Sequence, residues 1–189
     1  MTSELEVRAR AITSHEAGDR AEPGPASPPD LRFEVEPHRC FACGSLSEHG
    51  MNLDLHISGE RCWTELTLAD RFQGWDGIAH GGIVSTILDE VMAWSLAASD
   101  NWGMTARMTV TFKRPVPLGV PIRGEGWVTR RRRRLVDTAA RLIDPQSGEL
   151  LATAEAVYVA ADETQKGELM ARYRFRLVED RDVAGATPS

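Results

Sequence analysis

The stretch that most constrains this fold is a long apolar segment that begins after His80-Gly81-Gly82 and runs to about Ala98. At about 100° per residue, its apolar side chains share one half of a helical wheel. These are Ile83, Val84, Ile87, Leu88, Val91, Met92, Trp94, Ser95 and Ala98. The other half is small and polar, with Ser85, Thr86, Asp89, Glu90, Ala93 and Ala97. The spacing predicts one long helix that buries its apolar half and meets a second surface with the other.

The start of this helix is suited to bind an oxygen atom that becomes negatively charged. Gly81 and Gly82 let a ligand approach the backbone closely, where the first N–H groups of a helix have no intrahelical acceptor. Those donors and the positive end of the helix dipole favour an oxyanion. A simpler interpretation is also open, in which the glycines form a tight turn and Asp89 and Glu90 are solvated carboxylates.

The pattern of His80-Gly81-Gly82 with Asp89 in the following helix resembles the hotdog-fold acyl-CoA thioesterases of the 4-hydroxybenzoyl-CoA and phenylacetate-pathway type. Cys40-Phe41-Ala42-Cys43-Gly44, followed by Gly50-Met51-Asn52-Leu53, resembles the opening of one branch of that superfamily. The resemblance extends over residues 39–160. It implies an α+β hotdog fold, in which a curved antiparallel sheet wraps a long central helix, and a thioester-hydrolysing site between two subunits.

Two positions depart from the family pattern, and a third matches it. Gln73 stands where relatives often carry His or Asn, and Ser45-Leu46-Ser47-Glu48 replaces the usual Asn-Pro before Gly50. The Gln73 amide could donate to the substrate carbonyl or could be a surface amide. Thr105 matches a position at which relatives place a Ser or Thr that helps to position the attacking water, although threonine is also a common strand residue.

Composition limits the class of protein. The 189 residues are 42% hydrophobic and carry a formal charge of −6, which predicts one acidic domain with tails rather than a nucleic-acid binder. No apolar run reaches the roughly 18–20 residues of a membrane span. The cysteines are expected to be reduced and no secretory signal is recognisable, so we expect a cytoplasmic protein. We assign residues 1–30 to a disordered tail and Pro-rich linker, 31–162 to the hotdog domain and 163–189 to a partly helical extension with a disordered end.

Cys40 and Cys43 raise the question of a metal or redox site. A structural zinc ion needs four ligands, and only Cys62, His38 and His49 lie near enough in the sequence to complete a set. The strand-then-helix context of a redox Cys-x-x-Cys motif is missing. We therefore favour a packed turn that leads into the first strand, with zinc as the alternative, and we predict that the reaction requires no metal or redox cofactor.

The other elements alternate apolar and polar residues, which is typical of strands. We predict strands at residues 51–57, 62–68, 105–116, 122–129, 135–144 and 150–160, with turns at 58–60, 130–134 and 145–148, and a short helix at 163–172. Hairpin-length connections around a single long helix indicate α+β rather than alternating α/β architecture.

Two flanking regions supply candidate substrate contacts. The loop at residues 69–79, which holds Trp75, precedes the helix start and could form the rim of an active site. The densest basic cluster consists of Arg130, Arg131, Arg132, Arg133 and Arg134. Because guanidinium groups match phosphate oxygens bidentately, this cluster suits the phosphates of coenzyme A. We favour that contact for some of these arginines; a solvated hairpin is the alternative.

Helix geometry separates the two catalytic features. Gly81 and Asp89 are eight residues apart in the sequence, which is about 12 Å at about 1.5 Å per residue. Reacting groups stand about 3–3.5 Å apart, so either one of the two features takes no part in the reaction or they come from different subunits. We therefore expect a two-fold dimer with antiparallel central helices, or a dimer of dimers, with the small face of the helix near the contact.

Together these features predict an acyl-CoA thioesterase in which coenzyme A is part of the substrate. The helix start at Gly81 and Gly82 polarises the carbonyl, and Asp89 from the partner subunit activates water or attacks directly. His80 shapes the turn rather than acting as a base, and Glu90 is the fallback carboxylate. A non-catalytic acyl-CoA sensor and a hotdog hydratase or dehydratase are the alternatives.

Overall fold

The computed structural model describes residues 31–98 and 101–179, which form a large antiparallel sheet packed on a central helix. The strands are β1 (Leu31–Glu34), β2 (His56–Ser58), β3 (Arg61–Thr67), β4 (Gln73–Trp75), β5 (Ile78–Ala79), β6 (Gly103–Phe112), β7 (Pro121–Arg132), β8 (Leu135–Ile143), β9 (Leu150–Ala160) and β10 (Arg176–Glu179); the α-helices are α1 (Gly81–Ala97) and α2 (Glu163–Tyr173). The eight-stranded sheet has the order β10-β1-β2-β3-β7-β8-β9-β6, and β4 and β5 form a separate hairpin. The predicted α+β hotdog architecture is confirmed.

Helix α1 packs on the middle of the sheet through the apolar half that its periodicity predicts. Its buried residues are Val84, Ile87, Leu88, Val91, Met92, Trp94, Ser95 and Leu96. Two glycines of β7 leave room for the helix: a Cβ on Gly126 would lie 2.4 Å from the Val91 carbonyl oxygen, and one on Gly124 would lie 3.0 Å from Cγ2 of Ile87. The helix backbone therefore contacts the strand directly, which fixes where every side chain of α1 points.

The outer ends of several strands differ from the prediction. β6 ends at Phe112 because the N–H groups of Lys113 and Arg114 both donate to the carbonyl of Leu151, and Pro115 has no N–H to continue the ladder. The turn predicted at residues 130–134 is wrong in length.

The turn is shorter because β7 continues through Arg132, whose guanidinium pairs with Asp137 on β8 at 2.7 Å. Only Arg133 and Arg134 lie between the strands, with Arg133 in a left-handed conformation at φ 48°.

The strand predicted at residues 51–57 is regular only at His56–Ser58. Its alternation is nevertheless real, since Leu53, Leu55 and Ile57 are all buried. The N–H groups of Met51 and Leu53 donate to the loop carbonyls of Phe41 and Ala42 rather than to a neighbouring strand, and Asn52 between them is left-handed at φ 50°. This part of the segment is therefore not a strand of the sheet.

The two ends of the described chain pair with each other. β1 and β10 are antiparallel, with Leu31 opposite Glu179, and the sequence analysis predicted neither strand. The short helix at 163–172 is confirmed as α2, which begins with a capping box at Asp162 and Gln165. The tail predicted at residues 1–30, part of the polar break at 99–100 and the disordered end at 183–189 lie outside the described residues. In the described part of the chain, every helix is too short or too polar to span a membrane.

An ion-pair network joins the middle strands on the face of the sheet that points away from α1, since Gly124 and Gly126 on either side of Glu125 face the helix. The carboxylate of Glu125 on β7 is 2.8 Å from the Arg123 guanidinium and 2.7 Å from that of Arg141 on β8. Arg123 also pairs with Glu65 on β3 at 2.8 Å, so the network crosses three strands. Burial raises the pKa of Glu125, but the hydrogen bonds from the two arginines outweigh it and hold the pKa below its ordinary value.

Replacing Gly126 with Ala is expected to lower the free energy of unfolding by about 3 kcal/mol, because the new methyl group forces α1 away from β7. Urea denaturation of wild type and variant measures this loss. Gly167→Ala is the matched control, since a Cβ at Gly167 on α2 meets no atom within 4 Å. Equal stability of Gly126→Ala and wild type would show that the helix does not sit this close to the strand.

Replacing Glu125 with Gln is expected to cost about 2 kcal/mol of stability at neutral pH, because both arginines lose a charged partner. The folded-state pKa of Glu125 lies below its ordinary value of 4.5. The stabilisation is therefore complete well above that value and is lost as the pH falls through the folded-state pKa.

Urea titrations of wild type and Glu125→Gln over a range of pH should therefore converge in acid. Glu155→Gln, at an exposed position of β9, controls for general charge effects. A stability difference that does not change with pH would mean that Glu125 acts through packing rather than through its charge.

Candidate active site

The start of α1 is built around the side chain of His80. His80 is the N-cap residue, and its Nδ1 atom accepts a hydrogen bond from the N–H of Gly82 at 3.0 Å. The backbone N–H of His80 donates to the carbonyl of Phe72 at 2.9 Å, and Gly74 packs so closely that a Cβ there would lie 2.9 Å from Cα of His80. His80 therefore caps α1 and holds the turn that precedes it.

This cap changes which backbone donor can face a ligand. The N–H of Gly82 is occupied by His80, and the N–H groups of Ile83 and Val84 donate to the His80 carbonyl. The N–H of Gly81 has no acceptor among the described residues. Of the two glycines predicted to hold an oxyanion, Gly81 is therefore the one whose N–H is available.

An apolar cavity of about 680 Å³ opens at this helix start, and we call it the helix-start pocket. It is lined by Gly74, Trp75, Ile78, Ala79, His80, Gly81, Val84, Phe112, Lys113, Arg114, Pro115 and Val116. Trp75 and Phe112 are 82% and 54% exposed, respectively, although both are large apolar side chains. Exposed aromatic groups at the rim of an apolar pocket suit an acyl chain or an aryl group.

Gln73 lies next to this pocket without lining it. Its Oε1 atom accepts a hydrogen bond from the N–H of Gly77 at 3.0 Å. This bond fixes the direction of the amide, because the oxygen is engaged and the Nε2 group is left as the donor.

Asp89 lies two turns further along α1 and faces the sheet. Its Oδ1 atom accepts a hydrogen bond from the hydroxyl of Thr105 on β6 at 2.8 Å and another from the phenol of Tyr158 on β9 at 2.7 Å. Burial, and then the Asp89 charge, raise the pKa of Tyr158 and so keep the phenol protonated as a donor. Both donors bind the same oxygen, and no other described residue hydrogen-bonds to Oδ2. The carboxylate is therefore held in place with one oxygen available for chemistry.

Glu90 faces a different part of the molecule. Its Oε1 atom accepts a hydrogen bond from the indole Nε1 of Trp94 at 2.8 Å. Burial raises the pKa of Glu90 to about 7, although the Cys43 thiol and the Trp94 indole lower it. The two adjacent carboxylates therefore diverge, and of the two only Asp89 accepts a hydrogen bond from Thr105.

The arginine hairpin lies towards the end of the sheet at which Thr105 bonds to Asp89, and it does not line the pocket. Across adjacent strands, Thr105 is opposite Tyr158, Tyr158 is opposite Val136, and Val136 is opposite Arg131. Arg131 of the hairpin therefore lies at the same level along the sheet as Thr105 and Tyr158, the two residues that donate hydrogen bonds to Asp89.

The basic residues fall into two groups. Arg130, Arg131, Arg132 and Arg133 are exposed and do not line the helix-start pocket. One of them, Arg132, is already engaged by both oxygens of Asp137. Lys113 and Arg114 do line the helix-start pocket. The sequence analysis did not propose either of these two basic residues as a substrate contact.

The predicted site residues therefore form two clusters at opposite ends of β6. Gly81 packs at one end, where a Cβ would lie 3.4 Å from Cζ of Phe112. Asp89 is bonded at the other end, through Thr105. Within one subunit the two clusters do not meet, which agrees with the separation expected from helix geometry.

Tyr158 is the main residue that the sequence analysis missed. It lies in phase with Ala152, Ala154 and Ala156, all buried on the side of β9 that faces α1. A tyrosine among inward-facing alanines is a signal that a polar partner is nearby, because a buried hydroxyl needs a hydrogen bond. The partner itself was not predictable, since it depends on how α1 is rotated above the sheet.

Comparisons with known proteins agree with this geometry. Residues 76–151 match the family model described as thioesterase superfamily. A segment of 46 residues is 44% identical to the acyl-coenzyme A thioesterase THEM4 of Mus musculus and covers 24% of this chain and 20% of that protein. A solved thioesterase superfamily protein superposes with a TM-score of 0.56 at 27% identity, over 59% of this chain and 55% of that one. A Streptococcus mutans protein bound to acetyl CoA superposes with a TM-score of 0.54 at 17% identity, over 58% of this chain and 89% of that one.

The extent of these matches differs. This chain spans about a fifth of the mouse relative and about half of the first solved structure, whereas the family model covers the segment from the loop before α1 to the start of β9. That segment contains His80-Gly81-Gly82 and Asp89, the motif from which the family was predicted. The predicted resemblance to the thioesterase superfamily is confirmed for residues 76–151, which match its family model, and the superposed structures confirm the predicted hotdog fold.

Proposed function

We propose that this protein is an acyl-CoA thioesterase, which hydrolyses a thioester to a free acid and coenzyme A. The observation that carries the proposal is the Asp89 carboxylate, which two hydroxyl donors fix by Oδ1 on the same helix whose start opens into an apolar pocket. The mouse relative is named as an acyl-coenzyme A thioesterase, and the Streptococcus mutans structure holds acetyl CoA. Both support this choice of substrate class.

The geometry suggests the following reaction. The substrate carbonyl accepts a hydrogen bond from the N–H of Gly81, with Gln73 Nε2 as a second donor within the same region. Asp89 Oδ2 removes a proton from water, and the water oxygen attacks the thioester carbon. The C–S bond of the tetrahedral intermediate then breaks, and the departing thiolate of coenzyme A takes up the proton that Asp89 removed from the water. The hydroxyl of Thr105 donates a hydrogen bond to Oδ1 of Asp89. The hydroxyl oxygen can still accept a hydrogen bond from the water.

Two subunits are needed to assemble this site. β6 is the edge of the sheet, and Met104 and Phe112 near its two ends are 76% and 54% exposed. A long unpaired edge strand readily pairs with another chain. Antiparallel pairing of two β6 strands, centred near Met108 and Thr109, places Phe112 of each subunit next to Thr105 of the other. Strands that pair in a sheet lie about 5 Å apart.

The same pairing brings the arginine hairpin to the pocket. Because Arg131 lies in one row with Thr105, the hairpin of each subunit would approach the Gly81 end of the other. Lys113 and Arg114 from one subunit, with the hairpin arginines from its partner, then supply the positive charge that the coenzyme A phosphates require.

Replacing Asp89 with Asn is expected to lower kcat by about 100-fold or more, because the amide cannot accept the water proton. Tyr158→Phe removes one of the two donors and should cost about tenfold. Thiol release from short, long and aryl acyl-CoAs measures the rates, and Glu168→Gln, at an exposed position of α2, serves as the remote control.

The outcomes separate the competing functions. If Asp89→Asn hydrolyses thioesters as fast as wild type, Asp89 is not the base. If wild type binds acyl-CoA without hydrolysing it, the protein is a sensor, and addition of water to enoyl-CoA would indicate a hydratase. Solvent oxygen that enters Asp89 in a single turnover would favour direct attack by the carboxylate over general-base catalysis.

Mixing two inactive variants tests the shared site. Asp89→Asn removes the base, and Gly81→Leu fills the helix-start pocket of its own subunit. A mixed dimer has one site with both defects and one site with neither. Random mixing of equal amounts should therefore restore about a quarter of the wild-type activity per chain. Co-expressed variants that stay inactive, with mixed dimers present, would mean that both features act within one subunit.

A further inference from the structure

The turn at Cys40 and Cys43 is tightly built. The N–H of Gly44 donates to the carbonyl of Cys40 at 3.0 Å, which closes the turn around Phe41 and Ala42. Only glycine fits at position 44, because a Cβ there would lie 2.4 Å from the Cys40 nitrogen and 2.6 Å from the His38 carbonyl oxygen. A turn of this kind presents two thiols to one point, as cysteine pairs of zinc sites do.

His38 directs its ring at the same point. Its Nε2 atom is 3.5 Å from Sγ of Cys43, and its Nδ1 atom is 3.0 Å from the carbonyl oxygen of Glu36. The carbonyl can only accept, so Nδ1 carries the proton and Nε2 presents a lone pair to the thiols. Histidines that bind metals are commonly oriented by this hydrogen bond to a backbone carbonyl. The ring also packs edge-on against Tyr173 of α2, at 5.4 Å between centroids.

These three side chains converge. One ligand atom from each of His38, Cys40 and Cys43 lies within 4.8 Å of the other two, and no other described residues form such a group of three or more. All three are partly buried. In a tetrahedral zinc site, two thiolate sulfurs are separated by about 3.8 Å, so the ligand atoms need to close by about 1 Å or less.

Glu90 provides a fourth group from α1. The indole of Trp94, which lines one cavity together with His38 and Cys43, donates a hydrogen bond to Oε1 of Glu90 at 2.8 Å. The carboxylate lies outside the group of three, so it has to turn towards the ion when one binds. The set of side chains is then one imidazole, two thiolates and one carboxylate, which is a combination that suits zinc and does not suit magnesium or calcium.

We propose that His38 Nε2, Cys40 Sγ and Cys43 Sγ bind a structural Zn²⁺ ion, with the carboxylate of Glu90 in the fourth position. Binding displaces one proton from each of the two thiols, with no change in oxidation state. The ion would tie the loop at residues 38–44 to α1, one residue away from Asp89. Nothing in this proposal depends on thioester hydrolysis, and its predicted effect is on metal content and stability.

The first test is the metal content of the full chain, purified with a phosphine reductant and without chelators. Mass spectrometry of the metal should find about one zinc per chain in wild type. Cys40→Ser, Cys43→Ser and His38→Gln should lose it. Cys62→Ala is the matched control, because Cys62 is a buried thiol outside the group and its removal should leave the zinc in place.

The second test keeps the proposal falsifiable if a variant folds poorly. Co²⁺ added to the metal-free wild type should give a thiolate-to-cobalt absorption band, and chelators should lower the Tm of wild type and of Cys62→Ala. In Glu90→Gln the zinc affinity should fall by about 10–100-fold; an unchanged affinity would remove Glu90 from the ligand set.

Three results would overturn the proposal. The first is a reduced wild-type protein that binds neither Zn²⁺ nor Co²⁺. The second is a zinc content that is the same in Cys40→Ser as in wild type. The third is a Cys40–Cys43 disulfide that forms in air while the reduced protein binds no metal, which would identify the turn as a redox pair.

Discussion

The close contact between α1 and β7 is the constraint on which the rest of the structure depends. With glycine at positions 124 and 126, the helix backbone lies directly on the strand, so the helix can neither rotate nor rise without losing its packing. Hydrogen bonds weaken when the distance changes by a few tenths of an ångström. The bonds from Thr105 and Tyr158 to Asp89, at 2.8 and 2.7 Å, therefore exist because this contact sets the height of the helix.

That fixed helix divides two neighbouring carboxylates between two tasks. Asp89 and Glu90 are adjacent in the sequence and point about 100° apart around the helix axis. Asp89 accepts hydrogen bonds from hydroxyls of β6 and β9, whereas Glu90 accepts one from the indole of Trp94, which lines a cavity with Cys43. Their surroundings differ accordingly, since burial raises the pKa of Glu90 to about 7. One helix is thus the common wall of the candidate active site and of the cysteine turn.

The sequence could predict features that depend on residues close together in the chain, but not those that depend on residues far apart. Periodicity predicted α1, and a local motif predicted its start at Gly81 and the position of Asp89. Tyr158 could not be assigned to Asp89, because the two are 69 residues apart and meet only through the register of β9. The pairing of β1 with β10 joins opposite ends of the described chain through four residues each, too few for alternation to be visible.

The same reasoning explains why the cysteine turn was interpreted as ordinary packing. His38 was one of three candidates for completing a zinc site, and no pattern distinguishes it from His49 or Cys62. The structure separates them by hydrogen bonding: only His38, with Nδ1 facing a carbonyl, turns a ring nitrogen towards Cys43. Cys62 is buried in β3 and does not join the group. The fourth group, Glu90, comes from a helix whose orientation is set by β7, so the ligand set is a tertiary property. The cysteine turn and the candidate active site therefore depend on the same helix contact, and a change that displaces α1 should disturb both together.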